Sequence, residues 1–228
     1  MEEFTKVKLS ELIDFESLEY EWEKIESIPE FAKLKECKQN PKWHGEGDAF
    51  AHTKKVCEAM QKLLVDEYCF HPLTCLAAAL FHDIGKGQTT FFKEKDQNWH
   101  AYGHEVVGER MVREMLADEN PYFVDAIARL TRWHMEPLNI KKSKHKIQKM
   151  FRLAKDVTIT GSGIYEEVYH FCTFRDLLLL KETDVLGSEQ EDKVGWKEDM
   201  GFIHMLRDVA DESGILDGWN YVFDYLLD

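Results

Sequence analysis

The feature that most constrains this chain is the spacing of its apolar residues, which recur every three to four positions, the period of an α-helix, along most of the sequence. No stretch shows a convincing strand alternation, and the five prolines fall where helices would begin or end. Residues 156–163, rich in β-branched residues and glycine, predict a loop or a short extended piece. The sequence therefore predicts an all-α protein whose helices each bury one face.

Five of these predicted helices carry a histidine or an aspartate on the face that should be buried. His52, for example, lies four and seven residues before Val56 and Ala59, on the same side of its helix. The next helix should run into an adjacent His-Asp pair and end at Gly85 and Gly87. The inward polar residues, in chain order, are His52, His82, Asp83, His104, His134 and Asp184.

Helix boundaries place the last two of these residues. Asn120 and Pro121 predict a cap and a first helical residue, and that helix should end at His134. Asp184 is predicted on a long helix that begins near Ile164 and ends at Gly187.

The shared chemistry of the six inward residues points to a metal site. A buried imidazole or carboxylate is costly unless it is paired, hydrogen-bonded or metal-bound. Taken singly, each residue except the His82–Asp83 pair is better explained as a hydrogen-bonded core residue, but together they need a common cause. Four imidazoles and two carboxylates form a mixed set that suits Mn, Fe, Co, Ni or Zn, and also Mg, and they suffice for two divalent ions.

Lys86 is predicted to act with Asp83 in catalysis. It lies three residues after Asp83, so its ammonium group should reach the same cavity and stabilise charge on a phosphoryl group. The segment 85–90 lacks the spacing of a phosphate-binding P-loop, and the chain has neither a G-x-S-x-G nor a G-x-G-x-x-G motif. Metal chemistry is what these exclusions leave.

The net charge, one basic stretch and several aromatic residues indicate which substrates the chain could bind. The net charge of −14 argues against broad capture of long nucleic acids. The stretch 141–149 has no acidic residue, so it is either a phosphate-binding segment or a solvated loop and helix start. Asp48 is a further candidate, which either accepts a hydrogen bond from a metal-binding imidazole or is a solvated loop residue. Four aromatic residues near the motifs either stack on a base of the substrate or pack within the protein. The residues concerned are Lys141, Lys142, Lys144, Asp48, Trp43, Trp99, Tyr102 and Trp133.

Five cysteines without a C-x-x-C spacing are interpreted as reduced core thiols. The longest nearly apolar run, residues 73–81, is too short to span a bilayer, and the N-terminus has no apolar signal segment. We therefore expect a cytoplasmic protein with no membrane association.

The order of His52, His82-Asp83 and Asp184 resembles the signature of HD-superfamily metal-dependent phosphohydrolases. Within that superfamily, residues 28–188 resemble the HD domain of bacterial tRNA nucleotidyltransferases, and the last forty or so residues have no recognised counterpart. The motifs that carry this resemblance are Pro41-Lys42-Trp43-His44, Gly47-Asp48, Phe81-His82-Asp83-Ile84-Gly85-Lys86-Gly87, Gly103-His104-Glu105 and, more loosely, Arg132-Trp133-His134 and Thr183-Asp184-Val185.

The resemblance implies an HD-domain helical bundle around a metal site, in a single domain of residues 1–228 with an HD-like core at 28–188 and a C-terminal helical extension at 189–228. It implies one ion held by His52, His82, Asp83 and Asp184, and a second held by Asp83, His104 and His134. The chain lacks the paired aspartates of a nucleotidyltransferase head, so we expect it not to add CCA to tRNA. The implied activity is hydrolysis of 2′,3′-cyclic phosphates and 2′-phosphates of nucleotides or RNA ends.

Two alternatives remain open at this point. One is a 5′-nucleotide or dNTP phosphohydrolase. The other, from a different class, is a non-catalytic metal-containing nucleotide- or RNA-binding module, against which the presence of Lys86 with all six candidate ligands argues. Because a similar module occurs with polynucleotide kinases as an RNA-end phosphatase, the resemblance also implies association with an RNA repair or nucleotide-processing enzyme.

Overall fold

The structure, a computed structural model, describes residues 3–66, 69–162 and 168–216. Most of these residues lie in helices, which confirms the all-α prediction. A 3-10 helix, Lys33–Glu36, follows the third α-helix. The α-helices are α1 (Leu9–Leu12), α2 (Trp22–Ser27), α3 (Pro29–Ala32), α4 (Ala49–Asp66), α5 (Pro72–Phe81), α6 (Lys86–Thr89), α7 (His104–Met115), α8 (Pro121–Trp133), α9 (Glu136–Lys141), α10 (Lys146–Val157), α11 (Phe174–Gly187) and α12 (Lys193–Glu212).

Two short antiparallel hairpins interrupt the helices. In the first, β1 (Phe91–Lys93) pairs with β2 (Asn98–His100). In the second, β3 (Ile159–Ser162) pairs with β4 (Val168–Cys172). The extended piece predicted within residues 156–163 is therefore strand β3, whereas the first hairpin was not predicted.

The predicted start of the long helix near Ile164 was wrong. Residues 163–167 lie outside the described part of the chain, and β4 occupies the segment up to Cys172. Helix α11 begins only at Phe174, because Thr173 and Asp176 form a capping box, in which each side chain accepts the other's backbone N–H. The apolar residues of β4 lie directly before the helical pattern of α11, so the sequence alone does not mark the boundary between the strand and the helix.

Helix α11 lies in the middle of the packing. Nearly all of its residues are buried, and Phe174, Leu177 and Leu180 are fully inaccessible to solvent. Helix α11 is covered on nearly every side, because α4, α5, α8, α10 and α12 pack against it. Asp184 therefore enters the core on the most enclosed helix.

Helix α5 is shorter than predicted. It ends at Phe81, His82 forms its C-terminal cap, and a turn leads into α6 at Lys86. Gly85 allows this turn to lie directly against the start of α7, since an added Cβ would collide with the carbonyl oxygen of His104. The turn thus brings the His-Asp pair close to His104.

Helix α8 has the predicted limits. The Asn120 side chain accepts the backbone N–H of Tyr122 at 3.0 Å, Pro121 is the first helical residue, and His134 forms the C-terminal cap. The two caps thus fix the position of His134 at the end of the helix.

The segment after α11 packs back onto it. The indole nitrogen Nε1 of Trp196 donates to the carbonyl oxygen of Val185 at 3.0 Å, and Arg207 forms an ion pair with the buried Glu182. The predicted helical extension is thus represented by α12, while its last residues, 217–228, lie outside the described residues.

All five cysteines are free thiols in this structure. Among the described residues, no helix has both the length and the apolar character that a bilayer crossing requires.

The contact between α4 and α11 provides a stability test. A Cβ added at Gly187 would lie 2.7 Å from Val56 Cγ2 and 2.8 Å from Val56 N, whereas one added at Gly201 on α12 meets nothing within 4 Å. We expect Gly187→Ala to lower the free energy of unfolding by about 1–3 kcal/mol through overpacking. The matched Gly201→Ala variant should raise it by about 0.5–1 kcal/mol through helix propensity. Urea denaturation measures both, and equal effects of the two substitutions would contradict this packing.

Candidate metal centre

The Asp83 carboxylate lies at the centre of the predicted site. Its Oδ1 is 3.2 Å from His104 Nε2 and 3.8 Å from His134 Nε2. Its Oδ2 faces the other way and lies 3.2 Å from His82 Nε2. One carboxylate therefore contacts imidazoles on both of its sides.

The other two predicted residues lie on the Oδ2 side of Asp83. His52 Nε2 is 2.9 Å from Asp184 Oδ1 and 3.7 Å from Asp83 Oδ2. His82 Nε2 is 4.0 Å from the same Asp184 oxygen. The structure thus brings all six predicted residues together in two groups, within each of which the candidate ligand atoms lie within 4.8 Å of one another: His52, His82 and Asp184, and Asp83, His104 and His134.

Helix ends supply most of these side chains. His82 and His134 follow the last residues of α5 and α8, and His104 is the first residue of α7. His52 lies in the first turn of α4, and Asp184 lies in the last turn of α11. Five elements therefore meet at one buried point, where each contributes one or two polar groups.

Three of the imidazoles have the same hydrogen-bond arrangement. In His82, His104 and His134, Nδ1 donates to the backbone carbonyl three residues earlier, at 2.8, 2.8 and 2.7 Å. In a neutral imidazole a protonated Nδ1 leaves Nε2 with a lone pair. Each of the three Nε2 lone pairs is therefore directed at Asp83 or at another histidine, the orientation that metal-bound histidines adopt.

This arrangement places several nitrogen and oxygen lone pairs close together among buried side chains. His104 Nε2 and His134 Nε2 are 3.2 Å apart, and the buried Nε2 of His82 has no hydrogen-bond partner among the described residues. Burial, and then the neighbouring His104 and His82, hold the pKa of His134 well below its usual range, so a proton on His134 does not relieve the contact. A bound cation would relieve the repulsion between these lone pairs, and the nitrogen and oxygen donors suit a divalent metal.

His52 receives support from a carboxylate that the sequence analysis did not identify. Its Nδ1 lies 2.8 Å from Glu46 Oε1, which also lies 2.8 Å from His44 Nδ1. Asp48, for which the sequence left both this role and an ordinary loop position open, accepts the backbone N–H of Ala51 at 2.8 Å at the start of α4. Glu46 was not predicted because it lies in a loop, where no helical spacing relates it to His52.

The charge state of His52 follows from these neighbours. Burial alone lowers the pKa of an imidazole, but the hydrogen bonds with Asp184 and Glu46 outweigh it and raise the pKa of His52 to about 9. Without a metal, His52 is therefore protonated at neutral pH, between carboxylates. A bound cation would take over the charge that this proton provides.

Two buried lysines accompany the two aspartates. Lys86 Nζ lies 2.6 Å from Asp83 Oδ2 and donates to Gln39 Oε1 at 2.6 Å, and Lys181 Nζ lies 2.6 Å from Asp184 Oδ2. Although burial acts to raise both carboxyl pKa values, Lys86 next to Asp83 and Lys181 next to Asp184 hold them well below their usual range. Both aspartates are therefore ionised.

Lys181 was missed, although the sequence contains a signal for it. It precedes Asp184 by three residues, the same helical spacing that led to the prediction of Lys86 from Asp83. Applied to both aspartates, that argument would have identified both lysines.

A cavity of about 710 Å³ opens over the centre. Asp83, Lys86 and Lys181 form part of its wall, together with Lys141 and Lys142 of the predicted basic stretch. The charge of Lys141 is balanced by Asp199 Oδ1 at 2.9 Å and by Glu198. Lys142 is exposed at the rim, while Lys144, which was predicted with them, is exposed and not part of the wall.

Two of the four candidate stacking residues lie in this cavity. Trp43 and Trp99 line it. Trp133 packs against the core, with the Arg132 guanidinium over its ring, and Tyr102 stacks on His100 outside the wall. For Trp133 the structure therefore favours the packing alternative, and Trp43 and Trp99 remain the candidates for stacking a base.

Comparison with known proteins agrees with this geometry. The HD domain family matches residues 49–165, which include every predicted ligand except Asp184. The multifunctional CCA proteins of Actinobacillus pleuropneumoniae serotype 5b (strain L20) and serotype 7 (strain AP76) are each 41% identical to this chain over 88 residues. Those residues are 39% of this chain and 20% of either relative, so the chain matches about a fifth of the length of these curated relatives.

HD domains are hydrolase-type domains that bind divalent metals, in agreement with the two groups of candidate ligands found here. The family match covers just over half of the sequence and includes the central His82 and Asp83. This chain belongs to the HD domain family.

Proposed function

We propose that this chain is a metal-dependent phosphohydrolase acting on nucleotide or RNA-end phosphate esters, namely 2′,3′-cyclic phosphates and 2′-phosphates. One observation carries the proposal: three imidazoles commit Nδ1 to backbone carbonyls and direct Nε2 into a buried centre around Asp83. Without a cation this arrangement is electrostatically unfavourable. With one, it is a set of oriented ligands next to a cavity.

Two divalent ions fit the donor set. In the proposed assignment, one is held by His52, His82, Asp83 and Asp184, and the other by Asp83, His104 and His134. Support comes from the two oxygens of Asp83, which face different groups of ligands, so that this carboxylate is positioned to serve both. When bound, such ions lower the pKa of a water molecule and neutralise charge on a phosphoryl group.

The protein's own cations would bind and orient the substrate. Lys86 and Lys181 are each less than a tenth exposed and both lie in the cavity wall, so their ammonium groups are desolvated where a phosphoryl group would bind. Fixed donors in such surroundings stabilise developing charge more strongly than they would in water. We propose Lys86 as the catalytic lysine beside Asp83 and Lys181 as its counterpart beside Asp184.

The cavity supports an anionic ligand with a base. Its wall contains five lysines and three aspartates, so the lining is positive although the whole chain carries a net charge of −14, and this local balance favours an anionic ligand. Its volume of about 710 Å³ falls within the range of small-ligand sites. Trp43 and Trp99 offer faces on which a base would stack, with Lys142 at the rim for a further phosphate.

The partial similarity to multifunctional CCA proteins favours an RNA-end ester over a 5′-nucleotide. Against the non-catalytic nucleotide- or RNA-binding alternative stands the gathering of all six candidate ligands and Lys86 at one centre, because a module that used one metal to organise its fold would not need two groups of ligands. Association with an RNA repair or nucleotide-processing enzyme remains part of the proposal.

Asp83→Asn tests the metal centre. The substitution preserves shape but removes the charge that both ligand groups share, so we expect metal affinity to fall by at least about tenfold. Metal content after dialysis, measured by plasma mass spectrometry, reports the change. Asp118→Asn is the matched control, because Asp118 is exposed and, among the described residues, forms an ion pair with Lys6 alone. Equal metal content in both variants would contradict the proposed ligand set.

Lys86→Met tests catalysis separately from metal binding. Because Lys86 is proposed to stabilise charge on the phosphoryl group, we expect kcat to fall by about 10²–10³ while metal content is maintained. Lys155→Met, on the exposed side of α10, is the control.

Rates on 2′,3′-cyclic AMP, 2′-AMP, 3′-AMP and 5′-AMP decide the substrate class. The proposal predicts a preference for the 2′,3′-cyclic and 2′ esters. Preference for 5′-AMP would support the nucleotidase alternative, and bound metal without turnover of any ester would support the binding module.

A further inference from the structure

A second cluster of metal-binding side chains lies at the opposite ends of two helices that build the catalytic centre. The Sγ atoms of Cys69 and Cys75 are 3.5 Å apart. Asp176 Oδ1 lies 3.4 Å from Cys75 Sγ and 3.9 Å from Cys69 Sγ. Cys69 precedes α5, while Cys75 lies in the first turn of α5 and Asp176 in the first turn of α11.

This cluster is separate from the HD centre. Cys75 precedes His82 by seven residues along α5, and Asp176 precedes Asp184 by eight along α11. At 1.5 Å per residue these spacings correspond to about 10 and 12 Å. The two sites therefore share helices but no ligands.

We propose that Cys69, Cys75 and Asp176 form a binding site for a thiophilic divalent cation of the zinc class. Tetrahedral zinc, with Zn–S near 2.3 Å and Zn–O near 2.0 Å, separates two sulfur ligands by about 3.8 Å and a sulfur from an oxygen ligand by about 3.5 Å. The observed separations of 3.5, 3.4 and 3.9 Å are close to these values. The three atoms therefore need only small shifts to bind one ion, with water in the fourth position.

The carboxylate of Asp176 is oriented for this role. Its Oδ2 accepts the backbone N–H of Thr173 at 2.7 Å and lies 2.8 Å from His71 Nδ1. These contacts occupy one oxygen and turn the other, Oδ1, towards the two sulfurs. Carboxylate ligands of metals are commonly fixed in this way by partners on their second oxygen.

Burial and access also suit an ion. Cys75 and Asp176 are almost fully buried, whereas Cys69 is partly exposed and provides a route from solvent. The hydrogen bond with Cys75 lowers the pKa of the Cys69 thiol, whereas the same bond, burial and the nearby Asp176 raise the pKa of Cys75 well above its usual range, so Cys75 would give up its proton only to a bound cation. Binding would release one proton from each thiol, and the two thiolates with the carboxylate would then surround the divalent charge.

The consequence of binding would be structural. The ion would join the segment before α5 to the first turns of α5 and α11, whose other ends carry His82 and Asp184. A metal bound only by the folded chain stabilises that fold. This second site would therefore hold together two helices on which the catalytic ligands depend, whatever the substrate of the HD centre.

Cobalt titration of the full-length protein tests the proposal. The chain is first stripped of metal and kept reduced, with free thiols confirmed by mass spectrometry. Thiolate ligands give Co²⁺ an intense charge-transfer absorption in the near ultraviolet, which the histidine and aspartate ligands of the HD centre do not produce. We expect the final absorbance of this band to correspond to one thiolate-bound Co²⁺ per wild-type chain. The Asp83→Asn variant should give the same absorbance.

Cysteine variants locate the site. Cys69→Ser and Cys75→Ser should each weaken the band at least tenfold, whereas Cys37→Ser should retain it, since Cys37 is a buried thiol on another part of the chain. If Cys75→Ser does not fold, Cys69→Ser decides, because Cys69 is partly exposed. Absence of the band in reduced wild-type protein, or its full retention in Cys69→Ser, would overturn the proposal.

Discussion

The hydrogen bonds from imidazole Nδ1 to backbone carbonyls are the interaction on which the rest of the centre depends. In His82, His104 and His134 they fix the ring orientation and the tautomer, so each Nε2 lone pair is committed to the interior. Two of these carbonyls, of Ala79 and Thr131, lie in the last turns of α5 and α8, where backbone oxygens lack helical partners, and the third, of Ala101, lies in the loop before α7. The histidines at the ends of α5 and α8 and at the start of α7 thus provide hydrogen-bond donors to backbone carbonyl oxygens. The same hydrogen bonds direct the Nε2 atoms of the three rings towards Asp83.

Burying two ionised aspartates in this centre costs free energy, which a nearby lysine offsets for each of them. Asp83 and Asp184 are buried and ionised, and each has a lysine three residues away whose ammonium group lies 2.6 Å from a carboxylate oxygen. Leaving such a carboxylate unpaired would destabilise the fold by several kcal/mol. Because both lysines also line the cavity, the groups that stabilise the two aspartates are also placed to contact an incoming phosphate.

The six candidate ligands could be predicted because they lie on helices or directly after them, where helical spacing from apolar neighbours indicates which side chains face inward. Glu46 could not, since it reaches His52 from a loop that turns at Gly47 with a φ of 106°, and no sequence period describes that path. The start of α11 was misplaced because β4 is too short for its alternation to stand out from the helical pattern that follows. Cys69, Cys75 and Asp176 were assigned to the core or left unassigned, because their proximity depends on how α5 packs against α11.

The proposed centre requires the buried Nε2 atoms to face metal ions on either side of Asp83. Anomalous diffraction from crystals soaked in Mn²⁺ or Co²⁺, recorded at the absorption edge of the ion, tests this requirement most directly. We expect two peaks that flank the Asp83 carboxylate, each about 2.0–2.3 Å from histidine Nε2 atoms. Absence of a peak there, or ligation through Nδ1 with the carbonyl hydrogen bonds broken, would contradict it.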